Sequence, residues 1–204
     1  MNNKVKTILI IVGSVVGIYV IGTLLLLGLM FLVVASAKVE VTTDVSKYTE
    51  VIGDKAKDEY SHKWIVDKNV FPKSVDNLTV EDFKMVYYDP WDANYLGYLV
   101  VEYDEEGYDK EIERLNKVGI DDYKGIFGVT GFTNYELVAM ESDIYNGFVY
   151  AITDGESEII YVEIIFCNYV MDIDYNEYIA AKYLPDGFDA TDNNSYRKKM
   201  MNEK

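Results

Sequence analysis

The carboxylates, the single histidine and the single cysteine are the side chains of this sequence that could carry out chemistry. Glu163 is the only charged residue in the apolar run from Ile159 to Cys167. If Glu163 is buried, its pKa rises, and a carboxyl group with a raised pKa can act as a general acid. The simpler alternative is a solvent-facing or tyrosine-paired glutamate on an incompletely covered strand. Catalytic carboxylates usually need a second group, which the sequence does not identify, so no catalytic residue is assigned.

Cys167 and His62 could form a nucleophilic pair only with each other, because the chain has one residue of each type. Cys167 lies in an apolar strand-like run, where a thiolate is disfavoured. His62 stands beside Lys63 at the polar end of a predicted helix. We therefore predict a buried, inert Cys167 and an exposed His62.

The segment Asp172-Ile173-Asp174-Tyr175-Asn176 begins like a calcium-binding loop of the EF-hand type. Glu177 then stands where the sharp turn needs glycine, and Tyr183 stands where the bidentate glutamate belongs. A capping Asp or Asn at the start of a short helix explains the pattern better. The sequence therefore predicts neither a metal site nor a cofactor.

A loop between two predicted strands could contact a ligand. Asp89-Pro90-Trp91-Asp92 places an indole ring between two carboxylates. The face of Trp91 could stack on a sugar ring or a peptide, while Asp89 and Asp92 hold polar groups. The alternative is that the acids form Asx turns and that Trp91 folds onto the core. Asp89, Trp91 and Asp92 are the predicted ligand or partner contact.

The distribution of charge excludes one class of partner. The formal net charge is -16, and all 35 acidic residues follow Ala37. Nucleic-acid binding relies on Lys and Arg neutralising phosphates, so no nucleic-acid partner is expected. The acidity favours solubility, and it also fits a basic protein partner.

The N-terminal region has the composition of a membrane anchor. Residues 7-37 contain no charged side chain and would form a helix of about 46 Å, more than the bilayer core of about 30 Å requires. A cleaved signal peptide is the alternative, because Ala35-Ser36-Ala37 has the small-x-small form of a cleavage site. The apolar run is too long for a typical signal peptide, so we expect a retained anchor.

Two details of the anchor predict its orientation and a weak contact. Lys4 and Lys6 on the N-terminal flank place the N-terminus in the cytoplasm and the acidic domain outside. Gly13 and Gly17 have the G-x-x-x-G spacing that allows two helices to approach closely in lipid, which predicts a weak homodimer.

The pattern after the anchor alternates helical and strand-like segments. A helix is predicted from about Asp44 to Trp64, because its apolar residues recur every three or four positions. A second helix begins after Asp104, has acids in its first turn, and stops at Gly119. A short helical piece is predicted around 176-183. Six runs are rich in β-forming residues: Phe83–Tyr88, Tyr95–Tyr103, Gly125–Phe132, Tyr135–Glu141, Phe148–Thr153 and Glu158–Asn168.

These elements predict an α+β fold: one transmembrane helix, then a curved antiparallel sheet of about six strands with two helices packed on it. The last strand is apolar on both faces, which predicts a central position. Asp154-Gly155 predicts a hairpin with a type I′ turn before that strand. The predicted regions are a cytoplasmic N-terminus (1-6), an anchor (7-37), a linker (38-44), an extracytoplasmic domain (45-190) and a flexible tail (191-204).

The function that fits these features is a membrane-anchored extracytoplasmic binding or interaction module that acts on an envelope component or a protein partner. Two alternatives remain: an envelope enzyme that uses carboxylates, and an acidic, immunity-type inhibitor of a basic protein. The chain has 19 tyrosines, and those not needed for the core would suit a binding face.

The anchor makes a prediction about intact cells. We expect the full-length chain to fractionate with membranes, and added protease to remove the domain after Ala37, because of the uncharged run and the Lys4 and Lys6 flank. Immunoblotting of fractions and of protease-treated cells measures both. A soluble product starting at Lys38 would contradict the anchor, and a protected domain would contradict the orientation.

Overall fold

The computed structural model describes residues 2–51, 69–90, 93–145, 147–165, 167, 173–191 and 194–195. The chain divides into two compact units, Met1–Lys38 and Val39–Lys204.

The first unit is a single helix, α1 (Asn3–Ser36). The side chain of Asn2 caps it by accepting a hydrogen bond from the amide of Lys4, and the chain becomes extended at Ala37. Within α1, the segment Ile11–Ser36 is long and apolar enough to cross a membrane, and no other helix among the described residues meets that test. Its large apolar side chains are exposed, as expected of a surface that faces lipid.

The second unit contains one antiparallel sheet, which confirms the predicted α+β fold. The sheet order is β1-β2-β3-β6-β5-β4. Strand β6 is central, between β3 and β5, as its two apolar faces predicted. The six strands are β1 (Val39–Thr42), β2 (Thr79–Tyr88), β3 (Asn94–Glu102), β4 (Glu136–Asp143), β5 (Gly147–Thr153) and β6 (Glu158–Ile165).

Both faces of the sheet are covered. On one face, the helix face, Leu99, Val149 and Tyr161 pack with Leu115 of helix α3 (Glu105–Val118) and with Phe71. On the other, the loop face, strand residues pack with residues 126–129 and 173–190. That second cover contains only one turn of helix, α4 (Tyr175–Tyr178), and a 3₁₀ turn at Ala181–Tyr183. Much of the loop face is therefore buried by segments without regular secondary structure.

Two buried tyrosine hydroxyls donate hydrogen bonds to backbone carbonyls in these covering segments. Tyr150, on the loop face, donates to the carbonyl oxygen of Tyr183 at 2.7 Å. Tyr48 begins the short helix α2 (Tyr48–Val51), and its hydroxyl donates to the carbonyl oxygen of Pro72. Tyr150 is thus part of the core, with its hydroxyl group hydrogen-bonded to a covering segment.

The local signals of α3 predicted it correctly. The Asp104 carboxylate accepts a hydrogen bond from the amide of Gly107 at 2.8 Å, which satisfies a donor that the first turn leaves unpaired. Glu105 and Glu106 follow in the first turn, where acids favour the helix dipole. The helix ends at Gly119, whose φ of 87° suits glycine.

Two predicted segments were wrong. One strand was not predicted and one predicted strand is not formed, so the number of strands still agrees. Residues 39–42 of the predicted linker form β1, an exposed edge strand held by backbone pairing with β2 rather than by buried side chains. The predicted strand Gly125–Phe132 contains a 3₁₀ turn at Ile126–Gly128 instead. There Phe127 has a φ of 48°, and its fully buried ring packs edge-on against Phe148. Tertiary packing of that ring overrides the strand propensity.

The predicted hairpin between β5 and β6 exists, but its loop is longer than a two-residue turn. Only Gly155 of the Asp154-Gly155 pair has a positive φ. The Asp154 carboxylate instead accepts hydrogen bonds from the amides of Glu156, Ser157 and Glu158. Partial burial would raise the pKa of Asp154, but these backbone hydrogen bonds outweigh it and lower the pKa.

Two further helices are predicted from the sequence, and the structure describes the start of the first and the whole of the second. A 3₁₀ turn at Val45–Lys47 and helix α2 occupy the start of the predicted 44-64 helix, and residues 52–68, with His62, lie outside the described residues. The predicted short helix around 176-183 corresponds to α4 and the turn at Ala181–Tyr183.

The cap of α3 predicts a measurable loss of stability. Asp104→Ala should lower the free energy of unfolding by about 0.5–2 kcal/mol, because it leaves the Gly107 amide without its acceptor. Urea unfolding of the full chain in a nonionic detergent measures this change. Asp109→Ala, at an exposed position of the same helix, is the control. Equal losses in both variants would show that the cap contributes nothing specific.

Candidate functional site

Glu163 lies in the middle of the helix face. The strand register places Met85, Gly97, Glu163, Val149 and Glu141 side by side in one row across five strands. Glu163 and Glu141 are two strands apart, so their backbones are separated by about 10 Å. This row puts two carboxyl groups on the same face of the sheet, one at its centre and one near its β4 edge.

Glu163 is fully buried, with 0% of its surface exposed. Neither carboxyl oxygen has a hydrogen-bond partner among the residues that the structure describes. Burial raises the pKa of Glu163 well above its ordinary value, since the charged form is disfavoured in an apolar interior. Burial therefore favours the protonated form of Glu163, and no exposed surface gives a substrate access to it. This geometry does not support its use as a general acid.

Of the three predicted contact residues, only Asp89 is among those that the structure describes. Asp89 is exposed at the end of β2, and its carboxylate accepts a hydrogen bond from the Tyr87 hydroxyl at 2.9 Å. Partial burial and this hydrogen bond raise the pKa of Tyr87 to about 12. Trp91 and Asp92 lie outside the described residues, so the role of Asp89, Trp91 and Asp92 in binding stays a prediction.

A cleft on the domain was not predicted. Its volume is about 460 Å³, within the usual range of small-molecule sites. It forms where the last turns of α3 meet the 69–73 segment and the outer part of β4. Glu163 is not among the described residues that line it. The lining residues are Asn69, Lys73, Arg114, Lys117, Val118 and Glu141.

Arg114 has the most constrained side chain in this lining. Its Nε donates to Glu111 Oε2 at 2.8 Å and its Nη2 to Glu111 Oε1 at 2.6 Å, a bidentate ion pair. Its two terminal nitrogens also donate to the carbonyl oxygens of Asn69 and Val70. Arg114 therefore attaches the 69–70 segment to α3 and holds its guanidinium in one position at the cleft.

A chain of hydroxyl groups extends this network into the core. Tyr161, fully buried on β6, donates to Glu111 Oε1 at 2.6 Å. The Tyr103 hydroxyl lies 2.8 Å from that of Tyr161. Burial, followed by the nearby Glu111 charge, raises the pKa of Tyr161 well above its ordinary value, so it remains a donor at neutral pH. The position of Glu111, and through it of Arg114, is thus fixed from the sheet.

The side chain of Lys117 is less constrained than that of Arg114. Lys117 pairs with Glu113 one turn earlier at 2.8 Å, and both side chains are about three-quarters exposed, at 72% and 73%. Such pairs contribute little to stability because solvent screens them. Glu141 is half-buried, and Asn69 Nδ2 lies 3.5 Å from its Oε1, a long hydrogen bond.

The other candidates from the sequence are structural. Cys167 is buried as predicted, and the Tyr175 hydroxyl donates to its sulfur at 3.6 Å. Asp174 caps α4 by accepting from the amide of Asn176 at 3.1 Å, which confirms the capping interpretation. Across the described part of the chain, no group of three or more His, Cys, Asp or Glu residues could hold a metal ion.

Sequence reasoning missed the cleft because its residues come from three separate segments. In the sequence, Arg114 and Lys117 are notable only as basic residues near the end of α3, which favour its dipole. Their i,i+3 spacing places them on neighbouring positions of the helix surface, and this was the one available signal. Comparison of the chain with protein-family models, curated proteins and solved structures finds no match.

Glu163 makes a prediction about pH. The raised folded-state pKa means that the folded chain keeps a proton which the unfolded chain releases above about pH 4.5. The Glu163 contribution to stability should therefore fall as pH rises from about 4.5, by up to about 1.4 kcal/mol per pH unit, until the folded-state pKa is reached.

Urea unfolding of wild type and Glu163→Gln between pH 4 and 8 tests this. We expect wild type to lose stability relative to the variant as pH increases. Glu81→Gln, at an exposed position on β2, should show no such trend. A wild-type to Glu163→Gln difference that does not change with pH would mean that Glu163 is ionised in the folded chain.

Proposed function

We propose that the chain is a membrane-anchored extracytoplasmic binding module of the cell envelope, and that it binds its ligand or partner in the cleft between α3, residues 69–73 and β4. The observation that carries this proposal is the fixed Arg114 guanidinium, held at the cleft by a bidentate carboxylate and two backbone carbonyls. Side chains that are already ordered lose little entropy when a ligand binds, so binding is favoured.

The anchor part of the proposal rests on composition. Helix α1 contains a segment long and apolar enough to span a bilayer. Lys4 and Lys6 precede it and every acidic residue follows it, which favours a cytoplasmic N-terminus and an external domain. Gly13 and Gly17 have open space where a Cβ would stand, so a second α1 could approach there as a weak homodimer contact.

The two alternatives have less support. A carboxylate enzyme would need Glu163 and a second carboxyl group in one accessible cleft, but Glu163 is buried, and Glu141 is the one carboxylate among the described residues that line the cleft. An inhibitor of a basic protein would use acidic surface. At one end of the sheet Glu102 lies directly opposite Glu158, and Glu105 and Glu106 begin α3 close by in sequence. This second possibility is tested by the same experiment.

Site-specific cross-linking in intact cells tests the proposal. A photo-reactive amino acid replaces Lys117, which lines the cleft, or Lys110, which does not. The two positions are closely matched, because each lysine is exposed (72% and 71%) and pairs with a glutamate four residues earlier on α3. We expect an adduct, detected by mass spectrometry, from position 117 and not from position 110.

The other outcomes separate the hypotheses. Equal adducts at both positions, or none at either, would overturn the cleft as the binding site. An adduct with a cationic protein from position 110 alone would favour the inhibitor alternative, because position 110 is one turn from the acidic start of α3.

A further inference from the structure

The cleft concentrates positive charge in an acidic protein. Three of its lining residues, Lys73, Arg114 and Lys117, are basic, although acidic residues outnumber basic ones by 35 to 19 in the chain. Among the described residues, the lining also contains the carboxylate of Glu141 and the amide of Asn69. A binding site of this composition offers donors to an anion and an acceptor to a cation within one space.

We propose that the cleft binds a small zwitterionic group, in which a carboxylate or phosphate lies close to an ammonium group; this inference rests on the proposed function. Free amino acids and very short peptides have this chemistry, and so do phosphoethanolamine groups. The anionic part contacts Arg114 and Lys117, and the ammonium part contacts Glu141.

Arg114 provides the fixed positive charge. The Glu111 carboxylate accepts hydrogen bonds from Nε and Nη2. The carbonyl oxygens of Asn69 and Val70 accept one each from Nη1 and Nη2. A guanidinium has five N–H donors, so these four hydrogen bonds leave one N–H on Nη1. The side chain is 36% exposed, so this end of the cleft is open to solvent. A small anion can therefore approach a guanidinium whose position is already set.

Lys117 provides the exchangeable charge. Its partner Glu113 is on the solvent-exposed side of α3 and does not line the cleft. Because an exposed lysine–glutamate pair has a free energy near zero, moving the ammonium from Glu113 to a ligand anion costs little. Lys117 lies one turn beyond Arg114 on the same helix, so the two cations can contact one anionic group.

Glu141 determines which anions are accepted. Its half-buried carboxylate repels a ligand that carries only negative charge, and it attracts an ammonium group beside the anion. Oε2 of Glu141 is enclosed, so the ammonium group is expected to contact Oε1, an oxygen with more than one acceptor position. Charge of both signs in the ligand is thus the expected requirement.

Isothermal titration calorimetry on the full chain in a nonionic detergent tests the requirement. The zwitterionic probes are glycylglycine and O-phosphoethanolamine, which distinguish a carboxylate source from a phosphate source. Acetate and inorganic phosphate carry the anion alone, and ethanolamine carries the cation alone. We expect at least one zwitterion to bind about tenfold more tightly than its anion-only counterpart, the effect of one additional ion pair at a partly buried site.

Three variants assign this binding to the cleft. Lys117→Gln should weaken zwitterion binding several-fold, whereas Lys110→Gln, the matched control on α3, should leave it unchanged. Glu141→Gln should remove the preference for the zwitterion and improve binding of the anion alone. This opposite response distinguishes a direct contact from a general loss of structure, which would weaken every probe.

Any of three results would overturn this inference. Neither zwitterion binds at millimolar concentration, zwitterion and anion bind equally well, or Lys117→Gln and Lys110→Gln weaken binding equally. If the zwitterions fail while position 117 still gives its specific adduct in cells, the ligand class is wrong and the proposed binding site remains. If that adduct is also absent, the proposed function itself fails.

Discussion

The burial of β6 on both faces is the constraint on which the rest of the domain depends. A strand whose odd and even side chains are nearly all apolar must be covered twice, so it needs neighbours on each edge and a layer on each side. β3 and β5 supply the edges. The two layers differ: α3 covers one side, and short turns with extended segments cover the other. Glu163 is the charged-type exception in this strand, and the same burial raises its pKa.

The cleft is a consequence of how one layer is attached. α3 is amphipathic and packs Leu115 on the sheet, and Val70 and Phe71 of the 69–73 segment are buried in the same core. Arg114 joins the two, because it binds the backbone of that segment and a glutamate that a core tyrosine holds in place. The hydrogen bonds that stabilise this junction therefore also set the charge and shape of the cleft surface. Arg114 therefore contributes both to the folded structure of the domain and to the proposed binding site.

What the sequence could predict depended on the range of the interactions involved. α3 was predictable because Asp104 and Gly119 act within a few residues of their positions, and β6 because its two apolar faces are visible in one strand. β1 was missed because four residues with exposed side chains give too little pattern. The strand predicted at Phe127 is wrong because the left-handed conformation of this residue depends on packing against Phe148, which is distant in sequence. The cleft was missed for the same reason, since Asn69, Arg114 and Glu141 meet only after folding.

The tyrosine hydroxyls have a consequence for conformational uniqueness. Covering segments without helix or strand lack the repeating backbone hydrogen bonds that fix an alignment, and an apolar surface alone would accept several alignments of similar energy. The hydroxyl of Tyr48 donates to the carbonyl oxygen of Pro72, and that of Tyr150 donates to the carbonyl oxygen of Tyr183. Phenylalanine at these positions would bury nearly the same area but would not distinguish one alignment from the next. In a chain with a single cysteine, directional phenol contacts do the aligning that disulfides do in many small exported domains.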